Sequence, residues 1–413
     1  IDASTATGAL TITGTNFETI TLGTGDDTLK IGATQISQTI ASAKVNFNGG
    51  TGTDTLALGA QDLSASGFLN GAATSTDVVT NFETLTASAS IAVDAAATDD
   101  LARGIDANVI SGLTTIKVEL DNNDATSDHA SGEDITVTVS DLIAGQTVQA
   151  SGDASAITIS DNDIVLDMDS PTGSSDKIIF ESVASSAATA HVNTFDNVTV
   201  NTTSVSSTAE KVEILEIKAS NPNVTTTVGT TINDLVAGST ATINITGASN
   251  ITIEEFELYD SSTADTTVAT IDASAFTGDL TLGSATVDFQ TTAADDITVT
   301  LGAGTNVVYT GTDLASGDTI DGSLGTADTL HFTGASTVLP TAVTNVETLA
   351  YKAATATSVL TNFTGYSTID ITNGTFTSSL TKVLDTGVTV KSDDIDSGKT
   401  LTIDNATAGG TLS

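Results

Sequence analysis

The chain has 413 residues, enough for roughly two to four domains of about 100–200 residues each. It carries 52 acidic residues against 11 lysines and arginines, for a formal net charge of −41, and such a surface repels nucleic acid and anionic lipid. It contains no cysteine, which excludes disulfides and thiol chemistry. We therefore expect no nucleic-acid partner and no membrane insertion. Either multivalent cations lie among the carboxylates, or the acidic surface is solvated and serves solubility.

The residue pattern predicts an all-β chain. Tryptophan is absent and aromatic residues make up 4% of the sequence, so the cores should be thin and built from β-branched and other aliphatic side chains. Several short stretches alternate apolar and polar residues with the period of two that half-buried strands show: 135–139, 241–246 and 296–302. Only 101–113 predicts a short helix, and DLIAG (141–145) and DLVAG (234–238) predict helical turns between strands. We expect an elongated series of β-solenoid and β-sandwich-like repeats.

Residues 1–95 form the first of two diverged copies of one module, and residues 271–360 form the second. The opening phrase IDASTATGALTI returns as IDASAFTGDLTL, TLGTGDDTLKIG returns as TLGAGTNVVYTG, and TNFETLTAS returns as TNVETLAYK, in the same order. Self-similarity of this kind is typical of repeat architectures, in which each unit buries its apolar face against its neighbours.

A second repeat type occupies the middle region, 96–270, with copies at 135–160 and 228–253. A third start, KSDDIDSGKTLTI, falls in the last segment, 361–413. This segment therefore reads as the truncated start of a further module, and we expect the parent protein to continue beyond Ser413.

The stretch GGTGTDTLA (49–57) matches the calcium-binding nonapeptide GGxGxDxUx at every specified position. Gly50 and Gly52 allow left-handed backbone that turns carbonyl oxygens inward, and Asp54 adds a charged oxygen. The leucine that follows begins a buried strand. Calcium takes six to eight oxygen ligands, so a neighbouring turn has to complete the shell.

The same rule, an acid followed by threonine and an aliphatic residue, recurs along both module copies, at Glu18, Asp27, Asp54, Glu83, Asp318, Asp328 and Glu347. It predicts further calcium turns at Gly23, Gly25 and Asp27, and at the tandem Asp318, Asp321 and Asp328. Asn306 takes the acid position in the second copy, which should weaken that site or leave it empty. Alternatively, the acids only cap strands at glycine turns and stay solvated. We expect the glutamate of NFET to be a structural ladder residue rather than a ligand.

Two further acidic stretches, 121–134 and 160–176, place aspartate and asparagine close together beside predicted strands. This spacing suits a calcium loop, although neither stretch has the EF-hand order. The preferred ligands are Asp121, Asp124, Asp161 and Asp163. Solvated turns explain the same composition equally well.

The sequence contains no arrangement that predicts catalysis. His129, His191 and His331 are far apart and form no zinc motif, and no GxSxG stretch is present. The single arginine, Arg103, lies in the predicted helix rather than beside an acidic site. Paired carboxylates for glycoside hydrolysis stay open because acids are abundant. We expect no enzyme, no catalytic residues and no cofactor besides Ca²⁺.

The calcium turn GGTGTDTL, the phrase IDASAFTG, TNVETL and DLxAGxT together resemble the RTX-type, type I-secreted S-layer proteins of Gram-negative bacteria. The resemblance covers most of 1–95, 135–160 and 228–355 and the last thirty residues. It implies an extracellular protein that folds with calcium and self-associates into a lattice at the cell surface. It also implies that Gly23, Gly25 and Asp27, with Gly49, Gly50, Gly52 and Asp54, are calcium positions.

The chain departs from that family in three features. It has no long uninterrupted array of nonapeptides, and neither a region that anchors to surface polysaccharide nor a C-terminal secretion signal is seen. A stalk or matrix fragment of a large RTX adhesin is therefore the alternative, followed by a calcium-dependent polysaccharide-active enzyme. Near-identical tandem repeats would favour the adhesin, whereas the diverged, interleaved copies favour the lattice.

Overall fold

A computed structural model gives the chain as two compact units, Ile1–Thr225 and Thr226–Ser413. The boundary falls between the two copies of the second repeat type. The structure describes residues 1–14, 17–32, 45–58, 78–90, 101–121, 135–151, 162–169, 175–184, 192–201, 212–220, 229–237, 242–257, 269–287, 289, 296–311, 314–323, 325, 327–334, 340–353, 358–360, 362–372, 379–383, 388–392 and 402–405.

The described part of the first unit is built from short strands. They are β1 (Thr11–Gly14), β2 (Thr19–Thr21), β3 (Thr28–Ile31), β4 (Asn46–Asn48), β5 (Thr55–Leu58), β6 (Val78–Thr80), β7 (Thr84–Ser90), β8 (Leu101–Asp106), β9 (Ile110–Ser111), β10 (Thr115–Asp121), β11 (Ile135–Leu142), β12 (Thr147–Ser151), β13 (Asn162–Met168), β14 (Lys177–Val183), β15 (Asn193–Asn201) and β16 (Ile214–Ser220).

Consecutive strands of this unit enter different sheets, so the chain winds in coils. One sheet has the order β1-β3-β5-β7-β10-β12-β14-β16, a second has β2-β4-β6-β9, and a third has β8-β11-β13-β15. The pairs are parallel throughout the described ladders, for example β3 with β5 and β11 with β13. This arrangement confirms the predicted all-β, solenoid-like class.

The core of the first unit is a column of aliphatic side chains in register. Leu29 pairs with Leu56, Leu56 with Leu85, Leu85 with Ile116 and Ile116 with Val148, and all five are fully buried. Residues one position earlier form a parallel column of threonines on the other face of the sheet, because side chains alternate along a strand. The threonine-rich composition thus follows from the stacking of coils.

The described part of the second unit follows the same plan. Its strands are β17 (Thr230–Val236), β18 (Thr242–Gly247), β19 (Ile251–Glu257), β20 (Ala269–Asp272), β21 (Leu280–Leu282), β22 (Ile297–Thr300), β23 (Val307–Gly311), β24 (Thr319–Asp321), β25 (Thr329–Gly334), β26 (Ala342–Thr344), β27 (Thr348–Ala353), β28 (Ser358–Val359), β29 (Phe363–Thr364), β30 (Thr368–Thr372), β31 (Ser379–Val383), β32 (Thr389–Ser392) and β33 (Thr402–Asn405).

These strands form one sheet of order β18-β20-β22-β24-β26-β29, a second of order β17-β19-β21-β23-β25-β27-β30-β32 and a third of order β28-β31-β33. A buried column again runs through the second of these sheets, in which Leu282 pairs with Val308, Val308 with Leu330, Leu330 with Leu349 and Leu349 with Ile369. Both units therefore bury a column of aliphatic residues in register, one from each strand of a sheet.

The helix predicted for 101–113 is wrong. The segment is β8 and β9 joined by a single 3-10 turn at Ala107–Val109. Asp106 caps this turn, because its carboxylate accepts a hydrogen bond from the Asn108 backbone N–H at 2.9 Å. Parallel pairing with β11 satisfies the backbone of β8, so the local pattern does not need a helix to do so.

The helical turns predicted at DLIAG and DLVAG are also wrong. In the first, β11 continues through Leu142, whose partner is Met168 across a register shift. In the second, β17 continues to Val236, and Leu235 pairs with Phe256. Burying these apolar side chains in the sheet favours strand over a single helical turn. A left-handed Asp141, at φ 56°, introduces the irregularity in β11.

Candidate functional site

The acids of the recurring rule lie where strands begin, and stacking brings those of successive coils together. Asp27 precedes β3, Asp54 precedes β5 and Glu83 precedes β7, three neighbours in one sheet. Thr28, Thr55 and Thr84 stand in register, so the acid before each threonine stacks on the next. Asp27 and Asp54 are 1% and 0% exposed, which makes them buried carboxylates rather than surface charges.

Hydrogen bonds join these acids into a carboxylate ladder. Each carboxylate accepts a hydrogen bond from a backbone N–H of the preceding coil, at the residue just before that coil's strand. Asp27 Oδ1 accepts from Leu10 N at 2.7 Å, Asp54 Oδ1 accepts from Asp27 N at 2.8 Å, and Glu83 Oε2 accepts from Asp54 N at 2.7 Å. The Asp27 carbonyl in turn accepts from Thr55 N at 2.8 Å. The side chain therefore supplies the acceptor where the backbone ladder begins.

The second module copy repeats this ladder at equivalent positions. Asn306 Oδ1 accepts from Leu280 N at 3.2 Å, Asp328 Oδ1 accepts from Asn306 N at 3.0 Å, and Glu347 Oε2 accepts from Asp328 N at 2.8 Å. The strands that follow these residues, β23, β25 and β27, are neighbours in one sheet. Glu83 and Glu347 act as ladder residues, the role expected for the glutamate of NFET.

One ladder oxygen in each copy has no hydrogen-bond partner among the described residues. These atoms are Asp54 Oδ2 and Asp328 Oδ2, both buried. Each lies against glycine, because a Cβ built on Gly49 or on Gly322 would stand 2.8 Å from the respective oxygen. Burial, partly opposed by the hydrogen bonds that each carboxylate accepts, raises the pKa of Asp54 and of Asp328 to about 6. Both groups therefore favour a proton or a cation at the remaining oxygen.

These turns meet part of the requirement for calcium. Asp54 and Asp328 each provide a buried oxygen, Oδ2, that accepts no hydrogen bond from the described residues. Gly50 and Gly52 adopt left-handed φ values of 101° and 137°. Asp27 is different, because Oδ1 accepts from Leu10 N and Oδ2 accepts from Gly23 N at 3.0 Å. Within the described ranges, no three His, Cys, Asp or Glu side chains form a metal-holding group. A calcium shell would therefore depend on glycine carbonyl oxygens, and the site stays a prediction.

The structure places Asp318 and Asp328 at the starts of strands in different sheets, β24 and β25. Asp318 Oδ1 accepts from Ile297 N at 3.0 Å and its Oδ2 accepts from Ala315 N at 2.6 Å. Asp318 thus accepts a hydrogen bond from the first residue of β22, the strand next to β24 in the same sheet. The ten-residue spacing measures the step from one sheet to the other rather than two turns of one site.

Asp321 takes part in a separate contact that the sequence did not predict. Its Oδ1 accepts from Ser323 N at 2.9 Å and from Asn345 Nδ2 at 2.8 Å. Burial acts to raise the pKa of Asp321, but these hydrogen bonds and one from Thr344 outweigh it, so the pKa lies below its usual value. Asn345 is left-handed at φ 55°. The asparagine of TNVETL was the available signal, since it is among the few non-glycine residues that tolerate this conformation.

The first module copy contains an equivalent contact between two uncharged side chains, in which Asn48 takes the place of Asp321. Asn81, from TNFETL, has φ 59° and donates its Nδ2 to Asn48 Oδ1 at 2.8 Å. Asn48 Oδ1 also accepts from Gly50 N at 3.0 Å. The asparagine before each glutamate therefore joins two coils beside the carboxylate ladder.

Of the four ligands preferred in the acidic stretches 121–134 and 160–176, the structure describes two, and both lie in strands. Asp124 and Asp161 lie outside the described residues, and Asp121 is the last residue of β10. Asp163 lies in β13, where its Oδ1 accepts from Asn197 Nδ2 at 2.8 Å and its Oδ2 accepts from Thr136 Oγ1 at 3.3 Å. Asp163 therefore bridges the strands on either side of its own.

A further acidic group arises where the helical turn was expected. Burial raises the pKa of Asp141, and the neighbouring Asp106 and Asp169 carboxylates add to this shift. The register shift in β11 produces this arrangement, which no sequence spacing indicated. Among the histidines, His331 stacks on Tyr309 with ring centroids 4.2 Å apart, and burial lowers its pKa. His129 and His191 lie outside the described residues.

In comparisons with models of known families, with curated proteins and with solved structures, the chain shows no match. A search of the described residues for a helix long and apolar enough to cross a bilayer found none.

Proposed function

We propose that this chain is a structural, non-catalytic protein of the cell surface that binds calcium and assembles into an S-layer-like lattice. The proposal joins the resemblance noted in the sequence to the carboxylate ladder. Self-association is the partnership it requires, and surface polysaccharide is the proposed further partner.

The observation that carries the proposal is the pair of equivalent buried oxygens, Asp54 Oδ2 and Asp328 Oδ2. An ionised carboxylate oxygen buried without a partner is unfavourable, so a cation bound there at neutral pH would stabilise the fold. Calcium, when bound, supplies positive charge and accepts oxygen ligands only. Asp54 would be a ligand in the first unit and Asp328 in the second, each with carbonyl oxygens of its glycine turn.

The net charge supports the assembly part of the proposal. A chain with a formal charge of −41 repels its own copies in water, and compact assembly of such surfaces needs counter-charge between them. Divalent cations that bridge carboxylates of two copies would remove this repulsion. Calcium therefore serves two purposes in the proposal, since it completes the glycine turns and joins the acidic faces.

The decisive experiment is negative-stain electron microscopy of the purified chain with calcium and after its removal by a chelator. Ordered sheets should form with calcium and disperse on chelation, and inductively coupled plasma mass spectrometry should find bound calcium. The double variant Asp54→Asn and Asp328→Asn should bind fewer ions than the parent. The double variant Asp2→Asn and Asp296→Asn, which changes one exposed carboxylate in each unit, is the charge-matched control and should assemble normally.

The outcomes separate the alternatives. Calcium-dependent folding with isolated rods and no sheets would identify the adhesin stalk instead of the lattice. A chain whose β-sheet circular dichroism, assembly state and metal content do not respond to calcium would refute both.

A further inference from the structure

The coils that open the two module copies, IDASTATGALTI and IDASAFTGDLTL, fold alike. In the first copy the Ala6 N–H donates to the Ala3 carbonyl oxygen at 2.9 Å, and in the second the Phe276 N–H donates to the Ala273 carbonyl oxygen at 2.8 Å. The residues of these two opening coils can therefore be compared position by position.

Equivalent residues of the opening coils differ in burial. Ile271 is 1% exposed in the second copy, whereas its counterpart Ile1 is 58% exposed in the first. Leu280 is fully buried, while its counterpart Leu10 is only half-buried. An apolar face that is covered in the second copy is therefore open to solvent in the first.

A coil of the second repeat type covers this face in the second copy. Its strand β18 pairs in parallel with β20, where Ile243 lies opposite Ile271. Its strand β19 pairs in parallel with β21, where Ile251 lies opposite Leu280. The second module copy is thus stacked on the repeat that precedes it, and this junction buries the apolar face.

The glycine of the opening coil marks the space that the covering coil fills. A Cβ built on Gly278 would stand 2.9 Å from the Ala248 carbonyl oxygen of the covering coil, whereas a Cβ built on its counterpart Gly8 would meet nothing within 4 Å. The Thr277 N–H also donates to the Gly247 carbonyl oxygen of the covering coil, at 3.0 Å. The first opening coil offers the same surface with this space empty.

The last described strand of the chain belongs to a coil of the covering type. Residues 391–403 are the third start of the second repeat type, and in this alignment β33 takes the position of β18, with Ile403 at the position of Ile243. In the described part of its sheet, β33 has a neighbour, β31, on one side only. An open strand edge is a template for pairing with another chain, and parallel pairing between two such ends places copies head to tail.

We propose that the opening coil of the first unit, residues 1–12, is the surface on which β33 of a second copy docks, so that copies join head to tail. The junction of β18 with β20 is the template, and it places Ile403 of one copy opposite Ile1 of the next. The join buries an exposed apolar side chain and pairs two open sheet edges. The inference rests on the self-association in the proposed function and deepens it by naming the two surfaces that meet.

Gly8→Leu tests the docking surface, because the new side chain enters space that is empty in the single chain and filled in the join. The variant should fold like the unmodified chain by circular dichroism, and its association constant in sedimentation velocity should fall about tenfold or more. Thr5→Leu is the matched control. It adds the same side chain at an exposed residue whose counterpart, Ala275, is also exposed in the second copy, so it should associate normally.

A disulfide cross-link tests the partner surface, since the chain has no cysteine of its own. In the template Asn244 lies opposite Asp272, which corresponds to Asp404 of one copy opposite Asp2 of the next. Neighbouring strands lie about 4.8 Å apart, within the range that a disulfide spans. An equimolar mixture of Asp2→Cys and Asp404→Cys should therefore form a mixed dimer on mild oxidation, whereas Asp404→Cys mixed with Val78→Cys, at another exposed residue, should not.

The results separate this join from the proposed function. Calcium-dependent sheets that persist in Gly8→Leu and give no mixed dimer would leave the proposed function standing and overturn the head-to-tail join. A mixed dimer from a chain that binds no calcium would support the join and refute the calcium-dependent lattice. A chain that stays monomeric with and without calcium would refute both. If Gly8→Leu does not fold, the presence or absence of the mixed dimer still decides the matter.

Discussion

In protein stripped of divalent cations, replacing Asp54 by asparagine should stabilise the chain at neutral pH. The new side chain would keep an oxygen to accept the hydrogen bond from the Asp27 N–H, now 2.8 Å from Asp54 Oδ1. Its amide nitrogen would take the place of the buried oxygen that lacks a partner. The variant thus removes a buried charge without removing the ladder contact.

The magnitude follows from the pKa of Asp54, which burial raises from 3.8 to about 6. Since the folded pKa lies above the unfolded one, the folded state binds the proton more tightly and stability falls as pH rises through this interval. This loss of folding stability is absent below the unfolded-state pKa and complete above the folded-state pKa. At about 1.4 kcal/mol for each pH unit, Asp54→Asn should raise the free energy of unfolding by about 3 kcal/mol at neutral pH and by nearly nothing at about pH 3.5.

The assay is urea unfolding followed by circular dichroism, with the variant and the parent compared at both pH values. Comparing variants at one pH cancels the general repulsion among the other acids. Asp328→Asn should behave alike in the second unit, because its pKa is raised for the same reason. Asp2→Asn, at an exposed carboxylate, should show no comparable gain. With calcium present the effect of Asp54→Asn should change sign, since the variant loses a ligand.

Equal stabilisation at both pH values would show that the gain does not depend on ionisation of the Asp54 carboxylate. Destabilisation at neutral pH in the metal-free state would show that the charged hydrogen bond from the Asp27 N–H outweighs the cost of burial. Either result would refute the reasoning.

Three further outcomes are expected from urea or thermal unfolding. Leu56→Ala should lower the free energy of unfolding by about 2–5 kcal/mol because it opens a cavity in the buried column, while Val78→Ala, at a side chain 48% exposed, should change it by about 0.5 kcal/mol or less. Gly304→Ala should cost about 1–3 kcal/mol because its Cβ would overlap the backbone of the neighbouring coil, whereas Gly8→Ala has open space. Glu347→Ala should cost about 1.5–3 kcal/mol through the lost charged hydrogen bond, whereas Glu347→Gln keeps a neutral acceptor for the Asp328 N–H and should cost less.

The fold class could be predicted because it depends on local alternation. A column such as Leu29, Leu56 and Leu85 requires only that each coil present one aliphatic residue inward, and the sequence shows this directly. Strand ends were harder to predict. At Leu142 the decisive contact is with Met168, which belongs to a different coil, so no local window contains the information. The same holds for 101–113, where pairing with β11 overrides the helical pattern.

The residues of the candidate site could be predicted from the sequence, but the hydrogen bonds that join them could not. The acid, threonine, aliphatic rule correctly picked out residues at strand starts, including Asp27, Asp54 and Asp328. It could not show that each carboxylate accepts a hydrogen bond from the coil before it, because the residues joined lie 27 apart at one rung and 22 apart at another. For the same reason, Asp318 and Asp328 are near in sequence but begin strands of different sheets.

The direction of the carboxylate ladder bears on how the chain is made. Each N–H at a strand start is satisfied by a side chain that the ribosome adds later, since Leu10 depends on Asp27, Asp27 on Asp54 and Asp54 on Glu83. A coil that has just been synthesised therefore still lacks one acceptor until its successor arrives. Each coil is therefore completed only by the coil that follows it in the chain, whether folding takes place during synthesis or after it.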